Sequence, residues 1–307
     1  MVIEQEQVAF IFGSVGTAPN AAIRSYLNEN KIPQLFVASG FSMFADPHHY
    51  PWTIGFNPSY RSEGHAFAKY IVSTKPDAKI AVLYQNDDLG KDYLNGVKDG
   101  LGASHAAMLV KEASYEVSEP TVDSQVVSLQ GSGANTLIVA ANAKAAAQAI
   151  RKAYDLDSMP ERYLGSTAAS ITSVLKPAGL EKSKGAITNY WGKDPADPRW
   201  ADDPDYKEWA AFVATYMTPT DLTDGYAVYA FAAGPLMAYV LKQCGDDLSR
   251  ETIMRQATSL KDYVGPMGLP GAKANTSPDD YRVTRQLQLA RFNGVSWEWF
   301  GDMLTDE

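Results

Sequence analysis

Through the first two-thirds of the chain, short unbroken apolar runs stop abruptly at Gly, Ser and Thr. Each is followed by a stretch with apolar positions at helical spacing. Residues 8–20 read VAFIFGSVGTAPN, and residues 34–42 read QLFVASGFS one helix later. A strand without polar alternation is buried on both faces, which a parallel sheet covered by helices requires. The pattern predicts strands over 8–12 and 34–38 and a helix over 19–30, where Pro19 suits a first turn. Residues 40–58 read as a long loop rich in Pro, His and aromatics. A helix over 60–74 follows, with Ala66, Tyr70 and Ile71 on one face.

The alternation then restarts. Strands are expected over 79–84 (KIAVLY), 107–116, 136–141 (TLIVAA), 162–165 and 185–191 (GAITNYW), with helices over 91–101 and 144–154. This is a doubly wound βα array. Beyond residue 191 the connector GKDPADPRWADDP leads to helical stretches over 206–216, 223–243 and 249–261, the last capped by Ser249 with Glu251 close behind. Residues 285–300 alternate and read as a β-hairpin around Asn293 and Gly294. A helical block after two βα arrays suggests that the chain returns to its first lobe.

Composition narrows the class. A chain of 307 residues is long for one core and comfortable for two lobes. With 45% hydrophobic and 21% charged residues it is not a wholly disordered chain. The net charge of −9 is spread without a Lys/Arg run, which argues against a nucleic-acid or anionic-membrane surface. The longest apolar stretch, 226–241, is interrupted by Gly234 and Pro235 and reads as a buried helix. The single Cys244 has no internal disulfide partner and reads as a small buried apolar residue. The chain opens MVIEQEQ and runs straight into its first strand, without a signal peptide. That start reads as a removed upstream segment or an internal start.

Catalytic signatures are missing from the sequence: GxxxxGK[ST], GxGxxG and GxSxG do not occur. His48 and His49 sit beside Asp46, but adjacent residues seldom face one ion and no HxxxH or Cys partner accompanies them. They read as a solvated loop, so neither a metal nor a cofactor is expected. Asp87 and Asp88 follow a strand and read as turn and helix-capping residues. What remains points to binding. Small residues at a strand's carboxyl end, opening a helix, leave backbone N–H groups free for an anionic group. Thr17 stands at such a helix start, and Ser39 and Phe41 lie on the adjacent loop. Tight βα turns account equally for either loop taken alone.

The pieces FIFGSVGTAPN, IPQLFVASG, PWTIGFNPSYRSEGHAFAKYI, KIAVLYQNDDLGKDYLNGVKDGL, AAQAIRKAYDL and VLKPAGLEKSKGAIT carry a family resemblance in this order. The chain resembles the solute-binding proteins of ABC importers, in the leucine/isoleucine/valine-binding group of type I periplasmic binding proteins. The resemblance implies an α/β fold of two Rossmann-like lobes joined by three crossovers, with a ligand clamped as the lobes close. The crossovers fall near 54–58, 191–194 and 283–285. The first lobe is then 1–56 with 193–283, and the second 57–192 with 284–307.

The function implied is a periplasmic, non-enzymatic receptor. It captures a small carboxylate-bearing ligand (an amino acid or an aromatic or other organic acid) and presents it to an ABC permease in the inner membrane. The alternatives are a ligand-sensing regulatory module of the same fold and an α/β enzyme with an unrecognised site. By family position Thr17 donates its hydroxyl and N–H to a ligand carboxylate, with Ser39 and Phe41 beside it. The second-lobe half is expected at Asp88 and Leu89, Asn142 and Ala143, and Ser166 and Thr167, with Tyr190 near the hinge. Core packing accounts equally for Leu89, and helix capping for Asn142.

Amino-acid-binding members of the group place an acidic side chain at the position of Thr167. Here the segment reads YLGSTAAS. The expected ligand therefore carries a carboxylate but need not carry an α-ammonium, with Asp88 as the alternative source of negative charge. Phe41 is placed to stack on an aromatic ring, or equally to pack in the core. Members of the family also carry an opening strand–helix–strand before the segment that starts here, so an incomplete first lobe with an exposed edge over 8–12 is expected.

Overall fold

The unbroken apolar runs become strands of two separate sheets in the computed structural model, which describes residues 5–305. These residues divide into two units: 5–59 with Tyr226–Gln286, and Tyr60–Gly225 with 287–305.

Unit one holds a three-stranded parallel sheet in the order β1 (Ile11–Phe12), β2 (Gln34–Val37), β3 (Thr53–Gly55). Helix α1 (Thr17–Glu29) connects β1 to β2. β2 and β3 are buried at every position, as unbroken apolar strands should be. β1 has the expected exposed edge but departs from the expected length and from burial on both faces. It is two residues long rather than spanning 8–12, and it is not buried on both faces. Among the described residues it pairs only with β2, and Phe12 and Val15 are 38% and 65% exposed. The 40–58 segment, expected to be loop throughout, contains β3. Three residues are too few to show a period in sequence, and it is pairing with β2 that makes them a strand. Two helices complete the unit, α7 (Gly225–Cys244) and α8 (Arg250–Ala257), while α6 (Pro204–Tyr216) lies earlier in the chain within unit two. Ser249 caps α8 as expected, its hydroxyl accepting from Thr252 N–H. The expected helix to 261 stops at Ala257 because the following residues bond to the 276 region instead: Leu260 N–H donates to Thr276 Oγ1 and Thr276 N–H to Leu260 O.

Unit two is built on an eight-stranded sheet in the order β10-β9-β8-β7-β6-β4-β5, with β11 (Leu304–Thr305) also pairing β9. β4 (Ile80–Gln85), β5 (Leu109–Tyr115), β6 (Thr136–Ala140), β7 (Glu161–Leu164) and β8 (Ile187–Tyr190) are parallel. β9 (Gln286–Phe292) runs antiparallel to β8 and forms the predicted hairpin with β10 (Trp297–Trp299). The hairpin turn is held by Asn293, whose Oδ1 accepts from the N–H groups of Val295 and Ser296.

Side chains alternate between two cores. Ala81, Leu83, Leu137 and Val139 pack on one face with α4 (Asp123–Gln130) and α5 (Ala143–Asp155). Ile80, Val82 and Ile138 pack on the other with α2 (Tyr60–Thr74) and α3 (Asp88–His105). The buried stripe of α2 is Tyr60, Glu63, Gly64, Phe67, Ala68 and Ile71, so it is turned away from the expected Ala66 and Tyr70, which are half-buried. α2 and α3 approach very closely. A Cβ at Gly64 would overlap the Tyr93 carbonyl, and one at Gly96 the Arg61 carbonyl. Residues 193–225, expected with the first lobe, group with unit two. Lys193 Nζ bridges Asp203 and Asp205 at 2.7 and 2.8 Å, Trp297 N–H donates to Asp197, and Arg199 lies over the Trp299 ring. α6 (Pro204–Tyr216) follows in this segment, buried through Trp209 and Val213.

Candidate functional site

In unit one, parallel pairing of β1 and β2 sets their carboxyl ends side by side. Thr17, the first residue of α1, and Ser39, just past β2, meet through their hydroxyls at 2.7 Å. Both are buried. Ser39 Oγ also accepts from Phe41 N–H at 3.2 Å, so the three expected first-lobe residues form one cluster. Gly16, at the N-cap, supplies no side-chain oxygen, so the cap takes none of the first-turn N–H groups. The Phe41 ring packs edge-on against Phe44 with centroids 5.5 Å apart. Arg24, buried, lies over the Tyr50 ring at 3.6 Å and donates to Met43 O, so its guanidinium is held by aromatics and a carbonyl in this loop.

In unit two, the neighbouring order β7-β6-β4 brings three strand ends together. Asp87 caps α3, its Oδ1 accepting from Leu89 and Gly90 N–H, the capping role expected of it. Its Oδ2 accepts from Gln85 Nε2 at 2.6 Å. Gln85 Oε1 accepts from Asn142 Nδ2 at 3.1 Å and from Tyr115 OH at 3.0 Å. Asn142 caps α5 through Ala145 N–H, and its own N–H donates to Tyr115 OH. Thr167 Oγ1 donates to Ala141 O at 3.0 Å, which ties the loop after β7 to the one after β6. Ser166, Thr167, Asn142 and the start of α3 are thus one connected group. Leu89 is buried against Tyr60, Tyr93 and Ala140, and its side chain belongs to that packing. Asp88 is exposed in the first turn of α3. Tyr190 stands apart from these loops. Its ring tilts against Trp297 at 5.7 Å and its hydroxyl bonds Asp194, so burial and the carboxylate hold the phenol well above its usual range.

Behind Ser166 lies a residue that sequence reasoning missed. Glu63 of α2 is fully buried. Its Oε2 accepts from Tyr93 OH at 2.8 Å and Ser166 N–H at 2.9 Å, and its Oε1 accepts from Ser166 Oγ at 2.7 Å. Burial pushes its carboxyl up to about 7, against the lowering effect of the Ser166 and Tyr93 hydrogen bonds. Gly165 is required here, because a Cβ would sit 2.7 Å from the Tyr93 ring. Gln85 and Tyr115, the bridging pair of the strand ends, were also missed. The available signal was an acidic residue on the buried stripe of an amphipathic helix and a polar residue ending an apolar strand.

Two units, one built on an eight-stranded mostly parallel α/β sheet, with polar clusters at strand carboxyl ends in both, define a protein of the two-lobed type I binding class. The chain belongs to the periplasmic binding protein family, whose model matches residues 2–296. No curated protein matches the chain in sequence. Among solved structures it is similar to a branched-chain amino acid ABC transporter protein from Thermus thermophilus with bound valine. The two are 13% identical with a TM-score of 0.87, over 99% of this chain and 80% of that one. It is also similar to a substrate-binding periplasmic protein from Ralstonia solanacearum (22% identity, TM-score 0.81, 99% and 82% covered). A third is an ABC transporter solute-binding protein from R. palustris in complex with 4-hydroxybenzoate (15% identity, TM-score 0.80, 99% and 80% covered).

Proposed function

We propose that this chain is the periplasmic solute-binding component of an ABC importer, which captures a small carboxylic acid without chemically changing it and delivers it to an inner-membrane permease. In this reading the two units serve as the two lobes. The proposed contacts are Thr17, Ser39 and Phe41 in unit one and Asn142, Ser166 and Thr167 in unit two, while Leu89 stays in its packing and Tyr190 on Asp194. The carrying observation is the joined Thr17 and Ser39 hydroxyls at the uncapped start of α1, a donor cluster suited to a carboxylate.

The ligand in this reading is an aromatic or other organic acid rather than an α-amino acid. The carboxylate behind Ser166 belongs to Glu63, which is fully buried and already accepts from three donors, so it is not free to pair an ammonium. A buried ammonium without such a partner forgoes a bond worth about 1.5–3 kcal/mol. Calorimetry with benzoate, 4-hydroxybenzoate, leucine and valine tests this. Binding of the deaminated acids with none of the amino acids is the expected result. Tight valine or leucine binding that Asp88→Asn abolishes would instead assign the ammonium to Asp88 and overturn the organic-acid reading.

A further inference from the structure

Glu63 is a buried carboxylate that, among the described residues, no cation neutralises. The groups acting on its charge are the Ser166 side chain, the Ser166 N–H and Tyr93 OH. The other elements packed near it bring no charge to it. Asn189 of β8 donates its amide to the Glu63 carbonyl, and Tyr60 stacks on the Tyr93 ring at 4.8 Å. Tyr93 is itself held well above the usual phenol range, by burial first and then by the Glu63 charge, so it stays protonated. On the same helix Arg61 is engaged at the surface with Asp99. One acidic oxygen therefore faces one hydroxyl: Glu63 Oε1 and Ser166 Oγ, 2.7 Å apart.

We propose that Glu63 is the positioning residue that decides whether Ser166 offers its ligand a hydrogen-bond donor or only an acceptor. This rests on the reading of Ser166 as a ligand contact. When Glu63 is ionised, the Ser166 hydroxyl hydrogen is committed to Oε1, and Oγ presents only lone pairs, which repel a carboxylate. When Glu63 holds a proton, its O–H donates to Ser166 Oγ, and the Ser166 hydrogen turns free to donate to the ligand. Tyr93 OH and Ser166 N–H remain on Oε2 in both states, so the loop keeps its place while the hydroxyl reverses. Capture of a carboxylate thus brings one proton from solvent onto Glu63. The titration of Glu63 near neutral pH places this exchange in the physiological range.

Two measurements decide it. The first is NMR of ligand-free protein labelled at the glutamate δ-carbon. One resonance titrates near pH 7 in the wild type and is missing in Glu63→Gln; a midpoint below pH 5 overturns the proposal. The second is calorimetry of benzoate between pH 6 and 8.5 in buffers of different ionisation heat. The wild type takes up about one proton per benzoate on the alkaline side, and its Kd rises about tenfold per pH unit there. Glu63→Gln removes the uptake and flattens the profile. Ser166→Ala, which keeps Glu63, weakens benzoate binding and also flattens it, and serves if Glu63→Gln does not fold. Benzoate binding with a flat wild-type profile and no proton uptake overturns the proposal. If benzoate, 4-hydroxybenzoate and valine all fail to bind at every pH, the solute-binding reading fails. The ligand-free titration is then judged alone, a midpoint near 7 upholding Glu63 as the proton holder of the Ser166 loop.

Discussion

The hydroxyls of Thr17 and Ser39 meet at 2.7 Å although the two residues lie 22 positions apart. Parallel pairing of β1 with β2 makes the meeting possible, because it aligns the carboxyl ends of both strands and the turns that leave them. The two hydroxyls can share one hydrogen between them and still leave a second to donate outward. In the proposed reading that second hydrogen goes to a ligand carboxylate.

Replacing Thr17 by Ala removes this donor and leaves Ser39 Oγ with one fewer partner in a buried place. A hydrogen bond to a charged acceptor is worth roughly 1.5–3 kcal/mol, so Thr17→Ala weakens carboxylate binding by roughly 10- to 100-fold. Thr17→Ser retains the affinity. Titration calorimetry with benzoate checks both, and equal affinities for Thr17→Ala and wild type would remove Thr17 from the site.

Glu63 makes stability depend on pH in a direction opposite to that of a paired carboxylate. Its folded-state value, about 7, lies above the ordinary 4.5. The folded chain therefore binds the proton more tightly than the unfolded chain. The stabilisation is fully present below the unfolded value and is lost as pH rises through about 7. The difference corresponds to roughly 3 kcal/mol at most. Urea denaturation at pH 4.5 and 8.5 is expected to show Glu63→Gln gaining on wild type at the higher pH and not at the lower. Parallel pH dependence in both proteins would contradict the assignment.

Gly96→Ala is expected to destabilise the chain by about 1–3 kcal/mol, because the new methyl meets the backbone carbonyl of Arg61, which has no rotamer to yield. The forced separation of α2 and α3 also draws Tyr93 away from Glu63. Thermal denaturation reads the first effect. The second appears as a shift of the Glu63 titration, which a surface alanine such as Lys98→Ala leaves in place.

Asn142 separates a structural role from a binding role. Asn142→Ala loses the α5 cap and leaves Gln85 Oε1 with Tyr115 alone, at a cost of about 1 kcal/mol. Asn142→Asp keeps an oxygen for the cap and so keeps much of the stability. It loses the donor to Gln85 and adds a negative charge beside the proposed site, so it weakens carboxylate binding while remaining folded. Denaturation midpoints with benzoate titrations distinguish the two effects, and unchanged benzoate affinity in Asn142→Asp would assign this residue to capping alone.

The strand and helix alternation, the Asp87 and Ser249 caps and the closing hairpin were legible in the sequence. Each is set by local spacing and by side chains that reach only their neighbours: Asp87 to Leu89, Ser249 to Thr252, Asn293 to Ser296. Tertiary structure alone decided the rest. β3 is a strand because β2 lies beside it, and β1 is short and half-exposed because among the described residues it has a strand neighbour on one side only. In sequence Glu63 shows only as an acidic residue at the spacing of the apolar stripe of α2. It becomes a proton-holding group only because Gly64, Gly96 and Gly100 let α2 and α3 close together and the loop after β7 lands on it, 103 residues further along the chain. Local pattern fixes which segments become strands and helices, since that depends on near neighbours. Which polar groups end up buried together depends on contacts between distant segments, which periodicity does not record.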